Sequence, residues 1–368
     1  MNSILVDCKN LASYSGGISG YFKPLLRALI KHFKDECFVL VTHEKFDTNF
    51  LEELNNWEYK IVPYKKTGIS QLDILVYDLL IFPRALKKES GKVFISPYYD
   101  FILPRKYRMK SLITVHDMCY WELKSQYPRK VRWYYMLLLK LNLSLATKVV
   151  TVSETSLESI KNTFGNKAAN KTSVIYNTFA TSDVPNVLSN SIKNPQTKRI
   201  LYTGGFEGRK NVEMIFSGLS EVKKRVDVKL FFTGDFVDND NLKALIDKYG
   251  LRDTVILTGL LSSKEVEEHY SSCDAVINLS LCEGFGRSNL EAVKYGKALI
   301  CSDIKVFREL VDGYAIFCNP MDKISIVNAI FLSFNEKQNL KNFSFKKFEL
   351  ESNAVKLISI LEDLINGR

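Results

Sequence analysis

The sequence has no apolar run of about 18 residues, the length that a membrane-spanning helix requires. Its N-terminus lacks the basic segment and apolar core of a signal peptide, so we expect no secretory leader and a cytoplasmic location. C-x-x-C spacing is absent, and the seven scattered cysteines favour reduced thiols over disulfides or a zinc site. No short repeat or low-complexity tract occurs. These absences argue against a membrane-spanning protein, a repeat protein and a disulfide scaffold.

An acidic excess is also missing, because the chain carries 51 Lys and Arg against 41 Asp and Glu, a net charge of +10. Residues 1–180 hold 26 basic and 16 acidic side chains, whereas residues 181–368 hold 25 of each. The whole excess lies in the first half, which predicts two domains with different electrostatic roles. Nucleic acid, an anionic membrane surface and phosphorylated ligands are all compatible with this charge.

Short apolar runs alternate with amphipathic segments along the 368 residues, which predicts parallel sheets covered by helices on both faces. The pattern stops in a segment rich in Pro, Asn and Ser and then resumes. We predict an α/β fold with two Rossmann-like, doubly wound domains facing each other across a cleft that holds the ligands. The predicted parts are the first domain (1–177), a linker (178–197), the second domain (198–345) and a C-terminal helix (346–368) that packs back toward the first domain.

Two glycine-rich segments each follow a predicted strand and open a predicted helix. The first contains Gly16 and Gly17, and the second runs Gly-Gly-Phe-Glu-Gly-Arg-Lys-Asn over residues 204–211. Glycines let the backbone approach a phosphate at a helix N-terminus, and Arg209 and Lys210 can neutralise a diphosphate. The alternatives are a tight turn that binds nothing and a solvated Arg-Lys pair.

Two glutamates, Glu283 and Glu291, flank a glycine-rich turn after another predicted strand. Both carboxylates can accept hydrogen bonds from the hydroxyls of one elongated ligand. The alternative is that Ser288 and Glu291 form a capping box for a helix that we predict over residues 289–295.

His116 ends a predicted strand of the first domain, in the sequence Thr-Val-His-Asp, and is the best placed of the four histidines for chemistry. It can donate to a phosphate or to a sugar hydroxyl. The alternative is a structural histidine that is hydrogen-bonded to Asp117.

In this order, these motifs resemble those of the GT-B glycosyltransferases of family 4, over nearly the whole chain. The most specific block is residues 258–309, in which Glu-x7-Glu is followed by Gly-Lys-Ala-Leu-Ile-Cys-Ser-Asp. Arg287 and Ser288 depart from the family, which often has Leu-Pro or Pro-Pro there. Arg287 would add a cation beside the donor.

The resemblance implies a nucleotide-sugar site in the second domain and an acceptor site in the first. Glu283 would hold the donor sugar, Glu291 the ribose, and His116 would lie near the sugar, so that His116 and Glu283 are the candidate catalytic residues. The other implied donor-binding residues are Gly17, Arg209, Lys210, Gly259, Leu260, Gly284, Phe285 and Gly286. The resemblance implies no metal and no cofactor, since the cations and a helix N-terminus would stabilise the leaving diphosphate.

Basic residues of the first half are interleaved with Trp and Tyr, which suits a membrane interface or a lipid-diphosphate acceptor. Nucleic acid would also fit, but no nucleic-acid-binding motif occurs and the Glu-x7-Glu block favours the first option, so we expect no nucleic-acid partner. A plain solvated face is the alternative. The candidate acceptor or membrane residues are Arg105, Lys106, Arg108, Arg129, Lys130 and Arg132.

We therefore predict a retaining glycosyltransferase that moves a hexose, first of all mannose, from GDP-mannose or a UDP-sugar to a lipid-linked glycan. The setting would be O-antigen or capsule biosynthesis at the cytoplasmic face of an anionic inner membrane, with front-face departure of the diphosphate. The alternative is a non-catalytic nucleotide-sugar or nucleic-acid binding module on the same fold. The sequence does not indicate an oligomeric state.

Overall fold

The computed structural model describes residues 3–11, 17–63, 76–88, 91–101, 103, 109–179, 196–335 and 343–367. The chain divides into two compact units. The first contains Met1–Trp121, Pro128–Thr181 and Phe345–Arg368, and the second contains Glu122–Tyr127 and Ser182–Ser344. Most of the predicted linker lies outside the described residues. No described helix is both long enough and apolar enough to cross a membrane.

The first unit is built on a parallel sheet of seven strands in the order β3-β2-β1-β4-β5-β6-β7. Its strands are almost continuously apolar where they are covered on both faces, as expected for a parallel sheet. They are β1 (Ser3–Asp7), β2 (Cys37–Thr42), β3 (Trp57–Ile61), β4 (Val93–Ser96), β5 (Lys110–Val115), β6 (Lys148–Thr151) and β7 (Thr172–Val174).

Helices accompany this sheet, and the last helix of the chain contacts α1 and β5. They are α1 (Gly17–His32), α2 (Phe82–Lys88), α3 (Cys119–Glu122), α4 (Arg129–Leu145), α5 (Glu154–Phe164), α6 (Asn166–Ala169) and, at the C-terminus, α13 (Leu350–Asn366). Asn353 of α13 binds the segment after β7, because its amide oxygen accepts a hydrogen bond from the backbone N–H of Tyr176 at 3.0 Å. The C-terminal helix is therefore part of the first unit.

The second unit has a parallel sheet of six strands in the order β10-β9-β8-β11-β12-β13. Its strands are β8 (Lys198–Tyr202), β9 (Val228–Thr233), β10 (Val255–Gly259), β11 (Ala275–Asn278), β12 (Ala298–Ser302) and β13 (Ile316–Cys318). Its helices are α7 (Val212–Val222), α8 (Asp240–Lys248), α9 (Ser263–Ser272), α10 (Arg287–Lys294), α11 (Lys305–Val311) and α12 (Lys323–Asn335).

Both sheets reverse their strand order at one point, between β1 and β4 and between β8 and β11. In doubly wound sheets, the crevice outside the carboxyl ends of the strands at such a point is the usual ligand site. The predicted α/β fold with two Rossmann-like domains is confirmed, and it directs attention to the loops that follow these four strands.

Each unit has its own apolar core on its own sheet. Five of the seven cysteines are free thiols, so the expectation of reduced thiols is confirmed for Cys8, Cys37, Cys273, Cys301 and Cys318. It is wrong for Cys119 and Cys282, which are disulfide-bonded.

Candidate functional site

Two loops of the second unit meet at its switch point, one after β8 and one after β11. The backbone N–H of Leu281 donates to the carbonyl of Arg209 at 2.8 Å and joins the two loops directly. Arg209 and Lys210 come from the first loop, and Glu283 comes from the second. The residues that the sequence singles out in this unit are therefore brought to one edge of the sheet.

The loop after β8 folds tightly because glycine and asparagine occupy its restrictive positions. A Cβ on Gly204 would lie 2.3 Å from the hydroxyl of Tyr202, so only glycine fits there without a shift. The 3₁₀ turn Gly208–Lys210 ends at Asn211, whose φ of 57° is left-handed. The Asn211 amide donates to the carbonyl of Pro320 at 2.8 Å and holds that conformation. This turn fixes the backbone that carries Arg209 and Lys210.

Glu283 binds both cations of that loop. Its Oε2 lies 3.0 Å from Nη1 of Arg209, and its Oε1 lies 2.5 Å from Nζ of Lys210. All three side chains are largely buried. Burial raises the pKa of the Glu283 carboxyl, but Lys210 and Arg209 lower it by more, so the pKa lies below its ordinary value. Glu283 is therefore ionised near neutral pH, and two cations share one carboxylate.

A buried polar network orients Glu283. The Ser280 hydroxyl lies 2.9 Å from Glu283 Oε1 and 2.8 Å from Asn278 Oδ1, and its single hydrogen can serve one of them at a time. Asn278 Nδ2 donates to Asn289 Oδ1 at 2.9 Å. Asn289 Nδ2 has no partner among the described residues, although the side chain is fully buried. Such a network is expected to hold the strand end, the loop and α10 in one arrangement.

Glu291 points to a different partner. Its Oε2 accepts a hydrogen bond from the hydroxyl of buried Tyr270 at 2.7 Å, and that hydroxyl lies 3.0 Å from Thr203 Oγ1. Its Oε1 lies 3.8 Å from Arg287 Nη2. The capping-box interpretation is wrong, because α10 begins at Arg287 after Gly286 and has no side-chain cap. Ser288 lies inside the first turn, where its hydroxyl accepts from Asn278 at 3.2 Å.

We expect Tyr270→Phe to lower the free energy of unfolding by about 1–2 kcal/mol, because a buried hydrogen bond to a carboxylate is lost. Urea unfolding of both proteins measures the difference. Tyr249→Phe is the matched control, since that hydroxyl meets exposed Glu213 at 3.2 Å and its removal should change little. Equal losses in the two variants would contradict the role given to Tyr270.

The other residues of this unit that we predicted to bind the donor nucleotide sugar differ in whether their side chain is accessible. Gly286 has a φ of 98°, and a Cβ there would lie 2.6 Å from the Phe307 ring, so the turn into α10 requires glycine. Phe285 is a buried side chain and can offer a ligand only its backbone. Gly284 is buried beside it. Gly259 has a φ of 74° and ends β10, and Leu260 after it is 67% exposed. Leu260 thus presents an exposed apolar side chain at the carboxyl edge of the sheet.

In the first unit, His116 follows β5, and Gly17 begins α1 and is exposed. His116 Nε2 lies 2.8 Å from the carbonyl of Pro97, so this nitrogen carries a hydrogen and donates. Burial lowers the pKa of the imidazole, which is therefore neutral near pH 7. The carboxylate of Asp117 bonds instead to the backbone N–H of Cys119 at 2.9 Å. His116 can thus accept through Nδ1.

The aromatic side chains that lie among the basic residues of the first half are less exposed than a membrane-binding surface would require. Arg105, Lys106 and Arg108 lie outside the described residues. Arg129, Lys130 and Arg132 begin α4, where the first two are exposed and Arg132 is partly buried. Most of the aromatic side chains near them are covered: Tyr99 and Phe101 are buried, and Tyr98, Trp121, Tyr134 and Tyr135 pack against the core. Trp133 is the exception, at 63% exposure. The aromatic content of these stretches therefore mainly builds the core.

Sequence patterns did not indicate the buried charged cluster at the switch point of the first unit. Lys9 Nζ lies 2.6 Å from an oxygen of Asp78 and 2.8 Å from an oxygen of Asp100. Asp7 lies beside them and accepts from the Ser96 hydroxyl at 3.0 Å. Burial raises the pKa of Asp7 to about 6 and that of Asp78 to about 7, although Lys9 opposes both shifts. Asp7 and Asp78 thus retain their protons to a higher pH than ordinary aspartates do.

No group of three or more His, Cys, Asp or Glu in the described part of the chain is arranged to hold a metal ion. At the switch point of the second unit, the charged cluster contains two cations, Arg209 and Lys210, beside the carboxylate of Glu283. Arg209 and Lys210 can bind a diphosphate, and the two glutamates can bind hydroxyl groups.

The chain is similar to several known glycosyltransferases. Residues 185–346 match the family model of the glycosyl transferases group 1. The O-antigen chain mannosyltransferase RfbU of Salmonella typhimurium is 29% identical over 218 residues, which are 59% of this chain and 59% of that protein. The uncharacterized glycosyltransferase MJ1178 of Methanocaldococcus jannaschii is 25% identical over 95% of both chains.

Solved structures show the same fold at low sequence identity. The sucrose-phosphate synthase of Thermosynechococcus elongatus superposes with a TM-score of 0.75 at 16% identity, over 100% of both chains. HepE of Anabaena, solved in complex with UDP-glucose, superposes with a TM-score of 0.70 at 17% identity, over 99% of this chain and 100% of that one. The chain therefore has the fold of the GT-B glycosyltransferases, and its residues 185–346 are similar to the glycosyl transferases group 1.

Proposed function

We propose that the chain transfers a hexose, first of all mannose, from a nucleotide-sugar donor to a lipid-linked glycan in the synthesis of a cell-surface polysaccharide such as O-antigen. The observation that carries this proposal is the Arg209–Lys210–Glu283 cluster at the switch point of the second unit. A guanidinium and an ammonium suit a diphosphate, and a carboxylate suits sugar hydroxyls. The named function of RfbU supports mannose and O-antigen, and the complex of HepE with UDP-glucose supports a nucleotide-sugar donor.

In this proposal, catalysis is chiefly electrostatic. Negative charge develops on the diphosphate as the bond to the sugar breaks, and Arg209 and Lys210 stabilise it. Glu283 orients the sugar through its hydroxyls, Glu291 accepts from the ribose, and neutral His116 contacts the donor sugar. The diphosphate leaves from the face that the acceptor hydroxyl approaches, so the anomeric configuration is retained. The two cations take the role that a metal ion has in other transferases.

A thermal-shift screen with UDP-, GDP- and ADP-sugars tests the donor, because a ligand that binds the native state raises the melting temperature. We expect one nucleotide class to raise it by several degrees and to support transfer, with the product anomer read by NMR. No shift with any nucleotide sugar, or a product of inverted configuration, would contradict the proposal.

We further propose that the acceptor is held at an anionic membrane surface, which α4 contacts. Exposed residues recur along one face of this helix at spacings of three and four: Lys130, Trp133, Leu137, Lys140 and Ser144. Trp133 is 63% and Leu137 is 56% exposed, with lysines on both sides. An apolar stripe flanked by lysines suits an interface of acyl chains and anionic headgroups.

Replacing Trp133 and Leu137 together by serine is expected to reduce partitioning onto anionic vesicles by roughly tenfold or more, since two apolar side chains no longer insert. Vesicle sedimentation in low salt measures this, and high salt should detach the wild-type protein. Ile324→Ser is the matched control, because Ile324 of the second unit is 72% exposed. Equal binding of the wild type to neutral and anionic vesicles, or unchanged binding of the double variant, would contradict a role for this face.

A further inference from the structure

The Glu283 carboxylate occupies the two cations that the donor diphosphate needs. Both of its oxygens are engaged, Oε2 by Arg209 at 3.0 Å and Oε1 by Lys210 at 2.5 Å. The site thus holds an anion of its own before any phosphate arrives. A diphosphate carries more negative charge than one carboxylate, so it can displace Glu283 from the cations.

Displacement leaves Glu283 as a largely buried carboxylate without its cations, and a buried charge without partners is strongly unfavourable. The Ser280 hydroxyl, 2.9 Å from Oε1, is the donor that remains beside it. A nucleotide sugar supplies further donors, since its hydroxyls can bind the freed carboxylate. A nucleoside diphosphate has only its ribose hydroxyls, which the proposed function assigns to Glu291, and inorganic pyrophosphate has no hydroxyls of a sugar at all.

We infer that Glu283 discriminates the sugar-bearing donor from the nucleoside diphosphate product, because only the donor replaces the partners that the carboxylate gives up. This inference rests on the proposed function and adds to it a means of limiting product inhibition. Glu283 thus favours the full donor and opposes the bare diphosphate at the same two cations. The sign of its effect on affinity therefore depends on whether a sugar is present.

Glu283→Gln separates these effects, since glutamine keeps the shape and removes the charge. We expect this variant to bind UDP or GDP, whichever the wild type binds, and inorganic pyrophosphate at least about tenfold more tightly than the wild type does. Its affinity for UDP-glucose or GDP-mannose should rise much less or fall. Isothermal titration calorimetry with these probes measures both ratios. Glu291→Gln is the matched control and should not tighten pyrophosphate binding, because Glu291 is paired with Tyr270 and Arg287 instead.

Glu283→Asp is a second variant that can be used if Glu283→Gln does not fold. Aspartate keeps the negative charge, but its shorter side chain brings the carboxylate less close to the two cations. It should tighten pyrophosphate binding by roughly threefold. No tightening in whichever of these variants fold would overturn the inference, provided that the wild type binds the same probes. Failure of the wild type to bind any nucleotide or nucleotide sugar would instead contradict the proposed function.

Discussion

Glu283→Ala is expected to lower the rate of sugar transfer by roughly a hundredfold to a thousandfold, the size of effect seen when one group that stabilises a transition state is removed. The carboxylate is ionised and held by two cations before the donor binds, and the Ser280 hydroxyl remains beside it when the diphosphate takes up those cations. In the proposed mechanism, the donor sugar of this variant lacks the carboxylate that accepts from its hydroxyls. The phosphates keep Arg209 and Lys210, so kcat should fall much more than donor affinity.

Initial rates at saturating donor, divided by the folded fraction from circular dichroism, measure this loss. The correction matters because alanine leaves two largely buried cations without their carboxylate, which is destabilising. Glu265→Ala is the matched control, since Glu265 is an exposed glutamate that closes the capping box of α9 with Ser262. Wild-type rates in Glu283→Ala would contradict the assigned role.

Lys9→Met is expected to destabilise the first unit by about 3–5 kcal/mol at pH 8, because buried carboxylates lose the ammonium group that lies against them. Lys9 contacts Asp78 and Asp100 and lies 4.9 Å from the centre of the Phe82 ring. Methionine keeps the packing against such rings and removes the charge. The loss should shrink toward pH 5, where the carboxyl groups of Asp7 and Asp78 are largely protonated and no longer need a cation.

The pH dependence has a defined sign. Burial raises the folded-state pKa of Asp7 to about 6 and of Asp78 to about 7, above their unfolded values near 4. The folded state then binds protons that the unfolded state has released, so this cluster contributes less stability as pH rises from about 4 to 7. In Lys9→Met, the decline should be steeper and extend to higher pH.

Thermal melts of Lys9→Met at pH 5, 6.5 and 8 measure the effect. Lys92→Met is the control in the same unit, because Lys92 pairs at 2.8 Å with the single carboxylate of Glu36 and its side chain is 32% exposed, against 5% for Lys9, so its loss should lower stability less. A melting temperature of Lys9→Met that is lowered equally at all three pH values would show that the cluster does not titrate in this range.

The alternation of strands and helices was predictable because buried parallel strands and amphipathic helices leave clear hydrophobic patterns. Short elements were not predictable in this way, and β7, which has only three residues, is an example. The position of α10 was also misjudged, since it starts at Arg287 after a glycine that needs a positive φ. A local pattern such as Ser-x-x-Glu cannot show which residue begins the helix.

The donor loops could be anticipated because their residues follow strand ends, and parallel strands end at one edge of a sheet. Contacts between residues distant in sequence could not be anticipated, because nothing in the sequence around Lys9 indicates a bond to Asp78, 69 residues away. The partner of His116 was equally hidden from the sequence, because the imidazole bonds to the carbonyl of Pro97 and not to its sequence neighbour Asp117. Interleaved Trp, Tyr and basic residues likewise did not reveal which rings are buried.

The central claim is that the second unit binds a nucleotide sugar and that the chain transfers its sugar. Incubating the purified protein with radiolabelled GDP-mannose or UDP-sugars and a lipid-linked oligosaccharide extract tests it most directly. We expect label in the lipid fraction from one donor, and little or none with Glu283→Ala. A folded wild-type protein that transfers no label from any donor, and whose melting temperature no nucleotide sugar raises, would contradict the claim.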